Sequence, residues 1–206
     1  MLTNEDGEYL IKIAKLAIEN YLENEEKLDV PEDCPDYLKE NLGVFVTLNE
    51  NNELRGCIGY PEPVASLINA TIDVAISAAV NDPRFPSLTK DELNDISVEV
   101  TVLTKPEIIK VNTPQDYLKE ITIGEDGLIV ENGFNRGLLL PQVATEHNMD
   151  EETFLANTCM KAGLSPQSWL ENNTEIYKFQ GQIFKEWNLK ILMLTDFIFL
   201  KMFYFL

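Results

Sequence analysis

The run Ile96 to Thr104 alternates strictly between apolar and polar side chains, and this pattern constrains the fold more than any other in the chain. The apolar positions are Ile96, Val98, Val100 and Val102. The polar positions between them are Ser97, Glu99 and Thr101. Because successive side chains of a strand point to opposite faces of a sheet, the alternation predicts a half-buried strand.

Two hairpins and a closing strand are predicted around this strand. The first hairpin covers Gly43 to Ile58 and turns at Asn49 to Asn52, which are typical turn residues. The second covers Gly127 to Leu140 and turns at Gly133 to Asn135. The β-rich run Glu175 to Phe184 then closes the fold as a strand.

Helices are predicted between these strands. Thr3 and Asp6 resemble a capping box, and the residues that follow place an apolar stripe on one helical face. A core helix starts near Val64, keeps helical spacing to Ala79 and stops at Asn81-Asp82-Pro83. A short helix opens at Thr113-Pro114, and Asp150 caps a helix that runs to Gly163.

The segment Glu23 to Glu40 is acidic and contains Pro31 and Pro35, so it is predicted to be a solvated loop with one short helical turn at Tyr37-Leu38. Hairpins with helices interleaved between them favour an α+β fold with a largely antiparallel sheet over a regular βαβ winding.

Length and composition indicate a globular protein of one domain, with one or two lobes, because 206 residues can bury a substantial core and 45% of them are apolar. The formal net charge of -19 argues against direct binding of free nucleic acid, because proteins that bind it normally carry a basic stripe on their surface. A small anionic ligand stays compatible with the sequence.

The cellular address is predicted from the cysteines and the start of the chain. The three cysteines, Cys34, Cys57 and Cys159, form no CxxC pair and cannot all be paired within one chain, which indicates a reducing compartment. The first residues lack the basic and apolar regions of a secretory signal. We therefore expect a cytoplasmic protein.

The tail, residues 188–206, is rich in large apolar residues but is interrupted by Lys190, Asp196 and Lys201. A membrane span needs about 20 mostly apolar residues, so these charges argue against a membrane anchor. The tail is thus an anchor, a helix packed on the body or a stretch without a role, and the first is the least favoured.

The three arginines all stand in Gly- or Pro-punctuated segments: Arg55-Gly56-Cys57, Asp82-Pro83-Arg84-Phe85-Pro86 and Asn135-Arg136-Gly137. A guanidinium is a rigid fork of donors that suits carboxylate or phosphate. One hypothesis is that the three converge on a single anionic ligand. The alternative is that each guanidinium satisfies loop carbonyls or a helix end.

Cys57 is the candidate nucleophile. Arg55 and Cys57 are two residues apart on a predicted strand, so we expect their side chains on the same face. A guanidinium beside a thiol favours the reactive thiolate, and Gly56 and Gly59 permit close approach of a ligand to the main chain. The alternative is that Cys57 packs as a small hydrophobe, as free cysteine commonly does.

Other candidates are weaker. Glu99 and Asp82 are possible general bases or amine-binding groups, but carboxylates are abundant in this chain. His147 is the only histidine, which removes two-histidine metal sites, and its polar surroundings predict an exposed side chain. We therefore expect no metal site. The sequence contains no Walker loop, GxGxxG or GxSxG motif, and it names no cofactor.

Three stretches carry a resemblance to a known family: Leu54 to Gly59, Asp82 to Pro86 and Gly137 to Ala144. They resemble the AMME chromosomal region domain family, named for a region linked to Alport syndrome, midface hypoplasia and elliptocytosis. The likeness covers nearly all of residues 4–187, so this part is expected to be the domain and residues 188–206 lie outside it.

The resemblance implies a two-lobed α+β fold with a cleft. It carries over the motif positions Arg55, Cys57, Asp82, Arg84, Phe85 and Arg136. Relatives of the family are associated with a Memo-like protein and a radical S-adenosylmethionine enzyme, which implies a part in modifying a nucleobase or another small molecule. Fold and association do not fix a reaction.

Three function classes follow from the sequence. In the first, the Cys57 thiolate attacks an electrophilic carbon of an anionic substrate held by the arginines. In the second, the protein binds a small ligand or a partner peptide without catalysis, and Cys57 only packs. In the third, the acidic surface is a docking face for a basic partner protein.

Overall fold

The computed structural model describes residues 2–186 and divides them into two compact units. The first unit contains the chain up to Val102 together with the segment from Gln182 onward, and the second contains Leu103–Gly181. The helices are α1 (Asn4–Asn24), α2 (Leu67–Val80), α3 (Tyr117–Glu120), α4 (Pro141–Glu146) and α5 (Glu151–Lys161). The strands are β1 (Val44–Glu50), β2 (Glu53–Tyr60), β3 (Ile96–Leu103), β4 (Glu107–Ile108), β5 (Asp126–Asn132), β6 (Asn135–Leu139) and β7 (Glu175–Lys185).

In the first unit, β1 lies between β2 and β3 and is antiparallel to both. The strand order places the end of β7 on the far side of β3, and β2 is an edge strand of the sheet formed by the described residues. Helices α1 and α2 pack together, and α2 contacts β1 and β2. The apolar side chains of the helices and of alternate strand positions form one core, which includes Leu10, Ile13, Leu48, Ile72 and Val100.

Local chemistry explains where these elements begin and turn. Thr3 and Asp6 form a capping box at the start of α1, which satisfies backbone N–H groups that the helix leaves unpaired. The β1–β2 hairpin turns at Asn51 and Asn52, whose φ angles of 52° and 67° are both positive. Two central residues with positive φ match the right-handed twist of the hairpin strands, and asparagine tolerates this conformation.

In the second unit, β5 lies between β6 and β7, and β4 pairs with β7 on its other side. Helix α5 packs on β5 and β6, and Asp150 caps its first turn through the backbone N–H of Thr153. A second core, separate from the first, contains Leu128, Val130, Phe154, Cys159, Trp169 and Ile176.

The predicted α+β class with antiparallel sheet is confirmed by these elements and their pairing. One helix boundary differs from the prediction. Helix α2 begins at Leu67, and Val64 is 67% exposed instead of lying in the core. The reason is that Ser66 is held in extended backbone by a bridge to Asn41, so the helix cannot begin earlier.

The acidic segment before β1 also differs from the prediction of a solvated loop. A 3-10 helix spans Asp36–Lys39, as expected, but Leu38 is fully buried and Cys34 is 5% exposed. Both side chains belong to the core of the first unit. The apolar positions of this segment therefore decide its placement, although most of its residues are charged.

No helix among residues 2–186 is long and apolar enough to cross a membrane. The tail considered above, residues 188–206, lies outside the described residues.

Gly56 sits where β2 meets the end of α2, and this close approach gives a test of the packing. A Cβ atom at Gly56 would lie 2.2 Å from the carbonyl oxygen of Ala78, a backbone atom that cannot move independently. We expect Gly56→Ala to lower the free energy of unfolding by about 2 kcal/mol or more, measured by urea denaturation.

Gly133→Ala is the matched control, because no atom lies within 4 Å of a Cβ there and only the positive φ of 62° opposes the change. Gly133→Ala should lower the free energy of unfolding by about 1 kcal/mol. Equal losses for the two variants would contradict the close packing of β2 on α2.

Candidate functional site

Cys57 lies in the middle of the edge strand β2, directly opposite Thr47 of β1. The Thr47 hydroxyl donates a hydrogen bond to Cys57 Sγ across 3.3 Å. The backbone N–H of Cys57 points away from β1, toward Asp82, so the two residues form a non-hydrogen-bonded pair, the kind in which side chains approach most closely. Thr47 is half-buried and alternates with the buried Val46 and Leu48, which places Cys57 on the face opposite the helices.

The outer edge of β2 at Cys57 is closed by side chains in place of another strand. The Cys57 N–H donates to Asp82 Oδ2 at 2.8 Å, and Arg84 Nη2 donates to the Cys57 carbonyl at 3.1 Å. Asp82 and Arg84 therefore satisfy the donor and the acceptor that a neighbouring strand would satisfy. An exposed edge that is covered in this way does not invite pairing with another chain.

Asp82 and Arg84 are locked to each other. Arg84 donates from Nε to Oδ1 at 2.9 Å and from Nη2 to Oδ2 at 2.7 Å, and its backbone N–H adds a bond of 3.1 Å to Oδ1. The Asp82 side chain is 2% exposed, whereas that of Arg84 is 53% exposed. Among the residues that the structure describes, none accepts a hydrogen bond from Nη1 of Arg84, so this nitrogen keeps its donors for another group.

The electrostatics of the group follow from these contacts. Hydrogen bonds from Arg84, together with the backbone N–H groups of Cys57 and Arg84, hold the pKa of Asp82 far below its usual value, although burial acts in the opposite direction. The hydrogen bond to Asp82 raises the pKa of Arg84, and negative charge on the Cys57 sulfur contributes a smaller increase. The direct contact between the two residues is the hydrogen bond from Arg84 Nη2 to the Cys57 carbonyl.

Arg55 does not share the surroundings of Cys57. Leu48 pairs with Gly56 and Asn49 pairs with Leu54, so Arg55 is the extra residue of a β-bulge. The prediction that its side chain accompanies Cys57 assumed unbroken alternation, which the bulge interrupts. Arg55 is 8% exposed and binds the loop that follows α2.

The guanidinium of Arg55 binds that loop through all three of its nitrogen atoms. Nε and Nη2 donate to Glu92 Oε1 at 3.0 and 2.9 Å, and Nη1 donates to the Pro86 carbonyl at 2.9 Å. Glu92 also accepts from the N–H and hydroxyl of Thr89, which lower its pKa most, with Arg55 lowering it further. Arg55 thus anchors the loop that carries Arg84.

A polar row crosses the first unit from β2 to β7. It consists of Cys57, Thr47, Glu99 and Lys185. Thr47 pairs directly with Cys57 on one side and with Glu99 on the other. Glu99 forms an ion pair of 2.9 Å with Lys185. Direct cross-strand partners point to the same face, so the four side chains line one surface of the sheet.

The remaining predicted residues are placed as follows. Phe85 is half-buried, and its ring centroid lies 5.5 Å from the guanidinium carbon of Arg84. Gly59 pairs with Phe45 and leaves no room for a Cβ beside that ring. Arg136 belongs to the second unit, on β6, where it pairs with Glu131.

Each of the three arginines is therefore paired with a carboxylate in its own unit. His147, at the C-terminal end of α4, is exposed. Between Leu2 and Glu186, no group of three or more His, Cys, Asp or Glu side chains is arranged to hold a metal ion.

Sequence reasoning missed Thr47, Glu92 and Lys185. Glu92 carries a signal that was available, because Thr89 precedes it by three residues in a capping-box pattern. The pairing of Thr47 with Cys57 could not be predicted because it depends on the β-bulge. Without the bulge, the register of the hairpin would pair Thr47 with Gly56 instead of Cys57.

Comparisons with known proteins agree on one family. The AMMECR1 family model matches residues 11–184. A protein of Methanothermobacter thermautotrophicus is 56% identical, covering 90% of this chain and 96% of that protein. Protein PF1979 of Pyrococcus furiosus is 52% identical, with 90% of both chains covered. The crystal structure of the uncharacterized protein PH0010 from Pyrococcus horikoshii has a TM-score of 0.75 at 49% identity, and the match covers 90% of this chain and 93% of that one.

The buried carboxylate of Asp82 gives a prediction for stability. Because its pKa is lowered in the folded protein, its contribution is fully present above the unfolded pKa, near pH 4, and is lost as the pH falls through the folded pKa. We expect Asp82→Asn to lower the free energy of unfolding by about 2 kcal/mol at neutral pH. The difference in unfolding free energy between this variant and the native protein should become smaller below about pH 4.

Urea denaturation at a series of pH values measures this gap. Asp29→Asn, which removes an exposed carboxylate, is the control and should change stability little at any pH. A gap that stays constant down to about pH 2 would mean that the charge of Asp82 is not what stabilises the edge of β2.

Proposed function

This chain belongs to the AMMECR1 family, and we propose that it is an enzyme in which the Cys57 thiolate attacks an electrophilic carbon of a small anionic substrate. The observation that carries the proposal is the placement of Arg84. Asp82 fixes its guanidinium against the Cys57 carbonyl, and Nη1 has no acceptor among the residues that the structure describes. An anionic group bound to Nη1 would lie close to the nucleophile.

The proposal requires groups near the sulfur that can stabilise negative charge. The Thr47 hydroxyl donates a hydrogen bond to the sulfur across 3.3 Å, and the positively charged Arg84 is bound to the Cys57 carbonyl. Cys57 is partly exposed, and its side chain lies on the face of the sheet opposite the helices.

The proposed step balances without another reactant. A sulfur lone pair forms a C–S bond to a carbon that is doubly bonded to oxygen or nitrogen, and the π electrons move onto that heteroatom, which takes a proton from water. The thiol proton is lost to solvent beforehand. Modification of a nucleobase or a related small molecule, the role implied by the family resemblance, is compatible with such an addition.

A non-catalytic ligand-binding role is the second candidate. It is favoured by a cavity on the same face whose lining includes Thr47 but not Cys57. In that case the sulfur only fills space beside Thr47, and its reactivity is that of an ordinary thiol.

Alkylation by iodoacetamide distinguishes the two candidates. If Cys57 is an activated nucleophile, it should react at neutral pH at least about 3-fold faster than a free thiol in solution. Arg84→Gln and Thr47→Val should each slow the reaction, while Arg84→Lys, which keeps the positive charge, should slow it less. Peptide mass spectrometry over about pH 5 to 9 measures the rate at each cysteine.

Two internal references make the measurement specific. Cys159 is fully buried, burial raises its pKa, and it should stay unlabelled in the folded protein. Lys119→Gln removes an unrelated lysine of the second unit and should leave the Cys57 rate unchanged. A Cys57 rate equal to that of a free thiol, with no response to Arg84→Gln, would contradict the enzyme proposal and support the binding role.

A further inference from the structure

A cavity of about 380 Å³ opens beside the polar row in the first unit. Its polar lining residues are Thr47, Asn49, Asn52, Ser97, Glu99 and Lys185. Small-molecule sites are typically about 300–1,000 Å³ and mostly apolar. This cavity falls in that size range but presents hydroxyl, amide and charged groups, so its chemistry suits a small polar molecule and not a hydrocarbon.

The charged groups in the wall form a balanced pair. Glu99 Oε2 and Lys185 Nζ are 2.9 Å apart, and their side chains are 18% and 38% exposed. Among residues 2–186, no other charged residue lines the cavity. Both side chains keep some exposure, so a ligand that binds each of them can replace their contact with each other.

The balance of charge restricts the ligand. An anion bound to Lys185 alone would leave Glu99 without a counterion in a partly buried wall, and a cation bound to Glu99 alone would do the same to Lys185. A ligand with both charges replaces each contact that it breaks. The neutral side chains of Asn49 and Ser97 can then bind its remaining polar atoms.

We propose that the cavity is a binding site for an α-amino acid, whose ammonium group binds Glu99 and whose carboxylate binds Lys185. The two charges of an α-amino acid stand on one carbon, so it can insert between Glu99 and Lys185 and contact both. The strand pairing supports the assignment, because Thr47 and Asn49 of β1 lie directly opposite Glu99 and Ser97 of β3, so the polar lining comes from two neighbouring strands.

This site goes beyond the chemistry proposed for Cys57 and does not require it. The cavity and Cys57 share only Thr47, which contacts the sulfur and also lines the cavity. Binding is therefore to be measured on the native protein and on Cys57→Ser in parallel. If Cys57 proves to react like an ordinary thiol, the Cys57 proposal fails, but the binding result for the amino-acid site still stands.

The test is isothermal titration calorimetry with the twenty standard L-amino acids, each up to about 10 mM, a concentration at which even weak sites begin to fill. At least one should give saturable binding. For that amino acid, the C-terminal amide, which lacks the carboxylate, and the N-acetyl derivative, which lacks the ammonium, should each bind at least about 10-fold more weakly.

Variants locate the site. Glu99→Gln and Lys185→Gln should each weaken binding at least about 10-fold, and Lys39→Gln, which removes another ion-paired lysine of the same unit, should not. Circular dichroism confirms that each variant is folded. The proposal is overturned if no amino acid binds, if either blocked derivative binds as well as the parent, or if the Glu99 and Lys185 variants retain full binding.

Discussion

The carboxylate of Asp82 holds together the part of the protein on which the candidate site depends. It is buried, and a buried charge is costly unless it is fully paired. Asp82 meets this condition with the N–H of Cys57 and with the backbone and guanidinium of Arg84. In return, the backbone of the edge strand is satisfied without another strand, and the sulfur of Cys57 and the guanidinium of Arg84 are fixed next to each other.

The same arrangement explains why two separated sequence motifs occur together. Each residue of Arg55-Gly56-Cys57 contacts the region from the end of α2 to Glu92. Arg55 binds Pro86 and Glu92, Gly56 lies against the Ala78 carbonyl, and Cys57 binds Asp82 and Arg84 through its backbone. The two motifs are therefore one structural unit, whose hydrogen bonds fix the backbone of Cys57 and the guanidinium of Arg84.

Periodicity and capping signals predicted most of the elements, because these are local properties of the chain. The capping box at Thr3, the alternation of β3 and the cap at Asp150 all appear where they were expected. The failures depend on contacts between distant residues. The bridge between Asn41 and Ser66 makes α2 begin later than predicted. Cys34 and Leu38 are buried in the core of the first unit. The β-bulge places Arg55 and Cys57 in different surroundings. In the candidate site, the sequence motifs contained Cys57, Asp82 and Arg84, but the hydrogen bonds between these residues could not be predicted from the sequence.

The net charge of -19 places a further constraint on an anionic ligand. At physiological ionic strength, charges farther apart than about 8 Å are largely screened, so most of the acidic surface has little effect on an anion at the site. Affinity must then come from direct contact. Arg84 is suited to this role because Asp82 already fixes its orientation, and less side-chain entropy is lost when a ligand binds. In the proposed site, the carboxylate that partly neutralises Arg84 thus also fixes the guanidinium in position for a short-range contact with an anion.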